Sequence, residues 1–112
     1  MSRREAVRLR DIRNAIAAIR DHIAAGSFDR KTSDAVLYNL VVIGEAATQI
    51  ADETRARAPE IPWTRIVGLR NLLAHEYFRI DLDVIQTIVA GQLDQLDKTA
   101  QRLIDEDDEQ AV

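Results

Sequence analysis

Between residues 36 and 50 the chain is apolar on almost every side of a helix. The apolar residues are Val36, Leu37, Leu40, Val41, Val42, Ile43, Ala46, Ala47 and Ile50. Such a helix must be buried among other elements, because it leaves no face for water. We therefore expect a helical bundle with this segment at its centre. Gly44 lies inside the segment at a cost of about 1 kcal/mol relative to alanine, which a close crossing with another helix would explain.

Helical spacing also marks the segment before this central helix. Its apolar residues recur three and four positions apart at Leu9, Ile12, Ile16, Ile19 and Ile23, which is one stripe on a helix. We expect this first helix to end at Gly26. Thr32 or Ser33 is the expected cap of the central helix, which should run to about Arg57. Asn39 lies within its apolar arc and should need a buried hydrogen-bond partner.

The second half of the chain predicts two more helices. Pro59 and Pro62 interrupt the chain, Trp63 follows as a packing anchor, and a third helix should run to about Glu76. A fourth, capped by Asp81 or Asp83, carries apolar residues at helical spacing: Ile85, Ile88, Val89, Leu96, Ala100 and Leu103. No strand-like alternation is present. The short connections predict an all-α fold, an antiparallel four-helix bundle.

Length and composition limit the classes of protein that remain. The chain has 112 residues, which suits one domain, expected over residues 1–104 with an acidic tail over 105–112. It has no cysteine, which excludes disulfides, thiolate zinc sites and a cysteine nucleophile. With two histidines, His22 and His75, we expect no metal. No apolar run is long enough for a membrane span and no signal core is evident, so we expect a cytoplasmic protein.

The charge balance argues against a general nucleic-acid binder. The net charge is −4 and the isoelectric point is near 5.1, so the chain as a whole does not attract a polyanion. A local basic site for RNA stays open.

The third helix carries an unusual outward face. Its core side is expected to hold Ile66, Leu69, Leu72 and Leu73. The other side mixes Arg70, Val67, Asn71, Ala74 and His75, where an ordinary solvated face would hold Lys, Glu and Gln. Such a face is suited to packing, and a second copy in a two-fold dimer is the simplest partner.

Arg70 and His75 suggest chemistry on a phosphate. They are five residues apart, about 140° around a helix, so one chain alone makes a poor site. Two chains would bring two Arg and two His into one cleft. An arginine fork suits phosphate, and imidazole exchanges protons near neutral pH. A histidine near a helix end can equally be a cap or a packed polar residue, and this pattern alone leaves both readings open.

The segment from Arg70 to Tyr77, RNLLAHEY, resembles the R-x4-H-x-Y motif of the HepT toxins, also known as the DUF86 family of the HEPN superfamily. Further segments are similar to the family: residues 34–46, residues 61–63, residue 66 with residues 68–71, and residues 75–81. The resemblance covers roughly residues 5–104, nearly the whole chain. It implies an all-helical protein that dimerises through the motif helix.

The resemblance also implies an activity. Proteins of this kind are regarded as metal-independent endoribonucleases without a cofactor. His75 would exchange protons during attack of an RNA 2′-hydroxyl on the adjacent phosphate. Arg70 would hold that phosphate and stabilise its charge, and Asn71 would support the two.

A further implication concerns regulation. HepT-like toxins of type VII toxin–antitoxin systems are paired with a minimal nucleotidyltransferase (MntA-like) antitoxin, which can attach AMP to the motif tyrosine, here Tyr77. The added phosphate would block RNA beside Arg70. The alternative is a non-catalytic helical partner or substrate of such a nucleotidyltransferase, and for Tyr77 a helix-end aromatic that caps the core.

Three residues outside the motif are secondary candidates. Glu45 can pair with a cation near the site, such as Arg70, or form a structural ion pair elsewhere. Arg65 and Arg79 can extend a basic path for RNA, or simply be solvated. His22 is expected to be an ordinary surface residue of the first helix.

Overall fold

The computed structural model describes residues 1–76 and 80–110, with the backbone alone at residue 110. In this part of the chain all regular structure is helical, which confirms the all-α fold. Six helices are present: α1 Arg3–Ala24, α2 Arg30–Thr48, α3 Asp52–Ala56, α4 Trp63–His75, α5 Leu82–Gly91 and α6 Leu93–Gln110.

The start of α1 is fixed by a capping box that also reaches α3. The Ser2 hydroxyl accepts from the Glu5 backbone N–H at 3.1 Å, and the Glu5 carboxylate accepts from the Ser2 N–H at 2.8 Å. The same carboxylate accepts from the Ala51 N–H at 3.0 Å and the Thr54 hydroxyl at 2.7 Å. Because Ala51 is the N-cap of α3, one buried side chain joins the starts of two helices.

The central helix differs from expectation at both ends. Asp29, rather than Thr32 or Ser33, is the N-cap of α2, and its carboxylate accepts from the Thr32 N–H at 2.8 Å. Ser33 is buried within the helix. The predicted single helix to about Arg57 is wrong, because α2 ends at Thr48 and α3 begins after a break. The first helix ends at Ala24, two residues before the predicted Gly26.

The predicted fourth helix is also divided. Its first residue is capped as expected, since Asp81 is the N-cap of α5. The helical path breaks at Gln92, and α6 then continues through the acidic residues 105–109. Glu106 pairs there with Arg57 at 2.8 Å and with Arg102 at 2.9 Å. The domain boundary at residue 104 stays a prediction.

The core lies between α2 and its neighbours. α2 packs against α1 and α4, α1 packs against α6, and α5 packs against α6, so α2 occupies the central place that its apolar surface predicts. α4 runs antiparallel to α2, because Arg70 contacts Gly44 while Ile80, beyond the end of α4, lies beside Leu37. The largest fully buried side chains are Leu9, Ile12, Ile16, Ile19, Val36, Ile85 and Leu103.

Two local predictions of packing are confirmed. The amide of Asn39, buried in α2, donates to the carbonyl of Ala35 at 2.9 Å. Trp63 is buried at the start of α4 and its indole N–H donates to the Ala58 carbonyl at 3.1 Å. The Arg55 guanidinium lies over the same ring, 5.9 Å from its centroid. Trp63 therefore anchors α4 to the segment that precedes it.

Across residues 1–76 and 80–110, none of the helices combines the length and the apolar character that crossing a bilayer requires.

Candidate active site

Arg70 lies where α4 crosses α2. A Cβ atom placed on Gly44 would lie 2.9 Å from the Arg70 Cγ and 3.2 Å from its Cα, and closer still to its Cβ. The predicted close crossing at Gly44 is therefore real, and Arg70 is the residue that crosses. The missing side chain of Gly44 lets the stem of Arg70 lie directly on the central helix.

Two neighbours hold the guanidinium of Arg70. Its Nε donates to Glu45 Oε2 at 2.8 Å, and its Nη2 lies 2.6 Å from the same oxygen. Its Nη1 donates to Asn71 Oδ1 at 2.7 Å. Glu45 therefore pairs with Arg70, which is the first of the two interpretations that its sequence position allowed. The contacts fix the plane of the guanidinium, while its remaining N–H groups can still meet a phosphate oxygen.

The group lies at the surface, on the open side of the α2–α4 crossing. Glu45 and Asn71 are exposed and Arg70 is partly buried. An ion pair in this position contributes less than about 1 kcal/mol to stability. Its main effect is orientation, because the carboxylate and the amide together select one position of a long, mobile side chain.

His75 is the last residue of α4 and is exposed. Its imidazole has no hydrogen-bond partner within residues 1–76 and 80–110. It lies about 140° around the helix from Arg70 and roughly 7.5 Å further along the axis, with Asn71 between them in angle. One chain thus joins Arg70 to Asn71 and Glu45 but does not bring His75 into contact with them, as the spacing predicts.

The other predicted residues are placed as follows. Arg65 is exposed and lies away from the Arg70 group, at the edge of an apolar cavity of about 200 Å³ between α4 and the α5–α6 break at Gln92. Tyr77 and Arg79 lie outside the described residues. His22 is exposed on α1, as expected.

A metal site is not formed by the part of the chain that the structure describes, where no three His, Asp or Glu side chains are grouped to hold an ion. The carboxylate at the site, Glu45, is already engaged by Arg70. The donor set of the site, a guanidinium, an amide and an imidazole, is instead suited to an anion.

Sequence reasoning missed that Gly44 belongs to the site. The glycine indicated a close crossing, and Glu45 was one candidate partner of Arg70, but Gly44 itself was not connected with Arg70. The signal that could have connected them is that Gly44 and Glu45 are consecutive in the sequence. The glycine leaves room for the stem of an arginine on a crossing helix, and the carboxylate neutralises its charge.

The fold and the candidate site together define a class: an all-α bundle with an arginine held by a carboxylate and an amide at a helix crossing, and an exposed histidine at the end of the same helix. The chain belongs to the HepT-like family, described as "Ribonuclease HepT-like", whose match covers residues 6–103. Membership confirms the resemblance of the motif segment and of the segments around it.

Three curated relatives illustrate the similarity. "Probable ribonuclease HepT" of Thermococcus cleftensis is 34% identical over 79% of this chain and 84% of its own length. "Putative RNase MJ1380" of Methanocaldococcus jannaschii is 41% identical over 57% of this chain and 59% of its own length. "Putative RNase TTE0752" of Caldanaerobacter subterraneus is 30% identical over 70% and 74%. The match to the Methanocaldococcus protein thus spans less than two thirds of that relative. No solved structure gives a significant match to this chain.

Proposed function

We propose that this protein is a metal-independent endoribonuclease. The observation that carries the proposal is the Arg70 guanidinium, held by Glu45 and Asn71 at 2.6–2.8 Å on the helix that ends in exposed His75. The family description and the names of the three relatives support it.

In the proposed reaction RNA supplies its own nucleophile. His75 takes the proton of a 2′-hydroxyl as its oxygen forms a bond to the adjacent phosphorus. The bond from phosphorus to the 5′-oxygen breaks, protonated His75 returns the proton to that oxygen, and it leaves as a 5′-hydroxyl while a cyclic phosphate remains. Arg70 donates to the phosphate oxygens, on which negative charge accumulates in the transition state. Asn71 keeps the guanidinium in place.

We propose that the working form is a two-fold dimer through α4. Only Trp63 and Leu73 of the helix are buried, whereas Asn71, Leu72, Ala74 and His75 are exposed. A second copy packed on this face would bring both Arg70 and both His75 residues into one cleft. This resolves the separation of Arg70 and His75 within a single chain.

Regulation by a nucleotidyltransferase fits the same chemistry. We propose that the protein is the toxin of a type VII system, acts in the cytoplasm, and is silenced when an MntA-like antitoxin attaches AMP to Tyr77. Tyr77 follows His75 by two residues, so the added phosphate would carry negative charge to the neighbourhood of Arg70. Arg79 and Arg65 are the proposed further contacts of RNA. The net charge of −4 favours the alternative, a non-catalytic partner of the nucleotidyltransferase.

The deciding experiment is cleavage of total RNA and tRNA in the presence of a chelator by wild-type protein, His75→Ala and Arg70→Ala. Intact mass is recorded to identify unmodified protein. His22→Ala is the matched control, because His22 is also an exposed helical histidine but lies on α1. We expect cleavage by the wild type and by His22→Ala, and none by the other two variants. Absence of cleavage by unmodified, dimeric wild type would establish the non-catalytic alternative.

A further inference from the structure

The aromatic side chain of Tyr38, on the helix that also carries Glu45, is exposed to solvent. Tyr38 is 69% exposed, more than any other large hydrophobic side chain in the described residues. It lies on α2, the central helix, in which Val36, Leu37, Leu40 and Ile43 are buried. A ring exposed to water to this extent contributes little to the fold.

The position of Tyr38 relates it to the Arg70 group. Tyr38 precedes Glu45 by seven residues, which places both on nearly the same side of α2, roughly 10.5 Å apart along the axis. α4 runs in the opposite direction, and His75 follows Arg70 by roughly 7.5 Å along its own axis. Tyr38 and His75 therefore lie at similar heights along the α2–α4 pair.

Beside Tyr38 the surface forms a shallow recess between α1 and α2, with a volume of about 260 Å³. Its lining residues combine apolar and hydrogen-bonding groups: Asp11, Asn14, Ala15, Tyr38, Asn39 and Val42. Asp11 is paired with Arg8 at 3.0 Å, so the recess offers a carboxylate and two amides and no unpaired cation. This lining is unsuited to a phosphate but suited to a flat, uncharged group with N–H donors at its edge.

We propose that this recess receives a nucleobase of the RNA, from a nucleotide that flanks the phosphate held by Arg70. Tyr38 supplies the ring on which the base stacks, because every base has a π face that an aromatic side chain can cover. Asp11 and Asn14 accept hydrogen bonds from the amino or imino groups at the edge of the base. The inference rests on the proposed ribonuclease function and adds to it a subsite that positions the substrate.

Binding of an RNA that cannot be cleaved tests the subsite directly. The probe is a short oligonucleotide with 2′-fluoro sugars, which lack the attacking hydroxyl, and with one 2-aminopurine base, whose fluorescence falls when it stacks. We expect Tyr38→Phe to bind as the wild type does, because the ring is retained. Tyr38→Ala should bind about 5- to 150-fold more weakly, the equivalent of 1–3 kcal/mol, and lose the quenching. Val84→Ala, which shortens an exposed side chain on α5, should match the wild type.

Two results would overturn the proposal. One is unchanged affinity and quenching in folded Tyr38→Ala. The other is a change in the oligomeric state of that variant in size-exclusion chromatography with light scattering, which would make Tyr38 a contact between copies. Failure of the ribonuclease proposal would be seen in a different assay. Wild-type protein would then leave natural RNA uncleaved, whether or not Tyr38 quenches the fluorescence of the probe.

Discussion

Gly44 and Arg70 lie in direct contact, the glycine backbone against the stem of the arginine. A Cβ at position 44 would lie 2.9 Å from the Arg70 Cγ, a separation that real side chains do not accept. The central helix thus positions the side chain of Arg70 because Gly44 has no side chain to exclude it. The next residue, Glu45, then holds the end of that side chain at 2.6 Å.

We expect Gly44→Ala to lower both stability and RNA cleavage. The added methyl group forces α4 away from α2, and overpacking of this kind costs about 1–3 kcal/mol, partly offset by the better helix propensity of alanine. Movement of α4 carries Arg70 with it. Chemical denaturation and cleavage assays on the same preparation measure both effects. Gly91→Ala is the control, since a Cβ there meets open space. Equal behaviour of the two variants would contradict a role for the contact.

Glu45→Gln should separate binding from catalysis. Without the carboxylate, Arg70 carries an uncompensated charge, so RNA binds more tightly and KM falls. The guanidinium is also less firmly oriented, so kcat falls, by about tenfold if the pair contributes on the order of 1.4 kcal/mol in the transition state. Thermal stability should change by less than about 1 kcal/mol because the pair is exposed. A variant with unchanged KM and kcat would leave Glu45 a surface ion pair without effect on the reaction.

Tyr77→Phe should abolish modification and preserve cleavage. We expect co-expression with an active nucleotidyltransferase partner to add AMP-sized increments to the wild-type mass and to remove its cleavage activity. The Phe variant lacks the accepting hydroxyl, so its mass and activity should stay unchanged. Tyr38→Phe is the matched control, an exposed tyrosine outside the motif, and should still be modified. Increments on Tyr77→Phe would place the modification elsewhere.

Glu5→Gln should destabilise the fold in a pH-dependent way. Burial of the Glu5 carboxylate raises its pKa, but hydrogen bonds from Ser2, Thr54 and Ala51 outweigh burial and bring the pKa to about 2, from an ordinary value of 4.5. The resulting stability is therefore complete above pH 4.5 and is lost as the pH falls toward 2. Near neutral pH we expect a loss of roughly 1–3 kcal/mol, since the amide leaves donors unmet.

Denaturation of wild type and Glu5→Gln across this pH range checks the prediction. The difference between them should shrink as the medium becomes acidic. Glu53→Gln, an exposed carboxylate on α3, should show no such effect. A difference that does not vary with pH would mean that Glu5 acts through shape rather than charge.

The sequence predicted the helices better than their interruptions. Helical periodicity identified the buried side of α1 and α2 and the limits of α4, because burial is what periodicity records. In α4 the expected core side was partly wrong, since Leu72 is 41% exposed. The breaks after Thr48 and at Gln92 carry no such mark, since apolar spacing continues through both. The N-cap of α2 was misplaced because Asp29, Thr32 and Ser33 all have capping side chains, and only the packing that buries Ser33 decides among them.

The candidate residues of the proposed site could be named from the sequence, but their arrangement could not. Arg70, Asn71 and His75 stood out because their types do not suit a solvated face. That Glu45 and Gly44 converge on Arg70 depends on how α4 lies against α2, which is a long-range property of the fold. The relation of Tyr38 to the site likewise follows only from the opposite directions of the two helices.

Few residues of α4 are buried, and this affects how the chain tolerates substitution. Two of the thirteen residues of α4 are buried, so folding of the single chain places few requirements on the exposed positions of the helix. In the proposed ribonuclease, a change at Asn71 or His75 would alter the reaction and leave the bundle of the single chain intact, because both side chains are exposed. A single substitution at such a position would therefore remove the proposed activity from this chain while the chain remains folded.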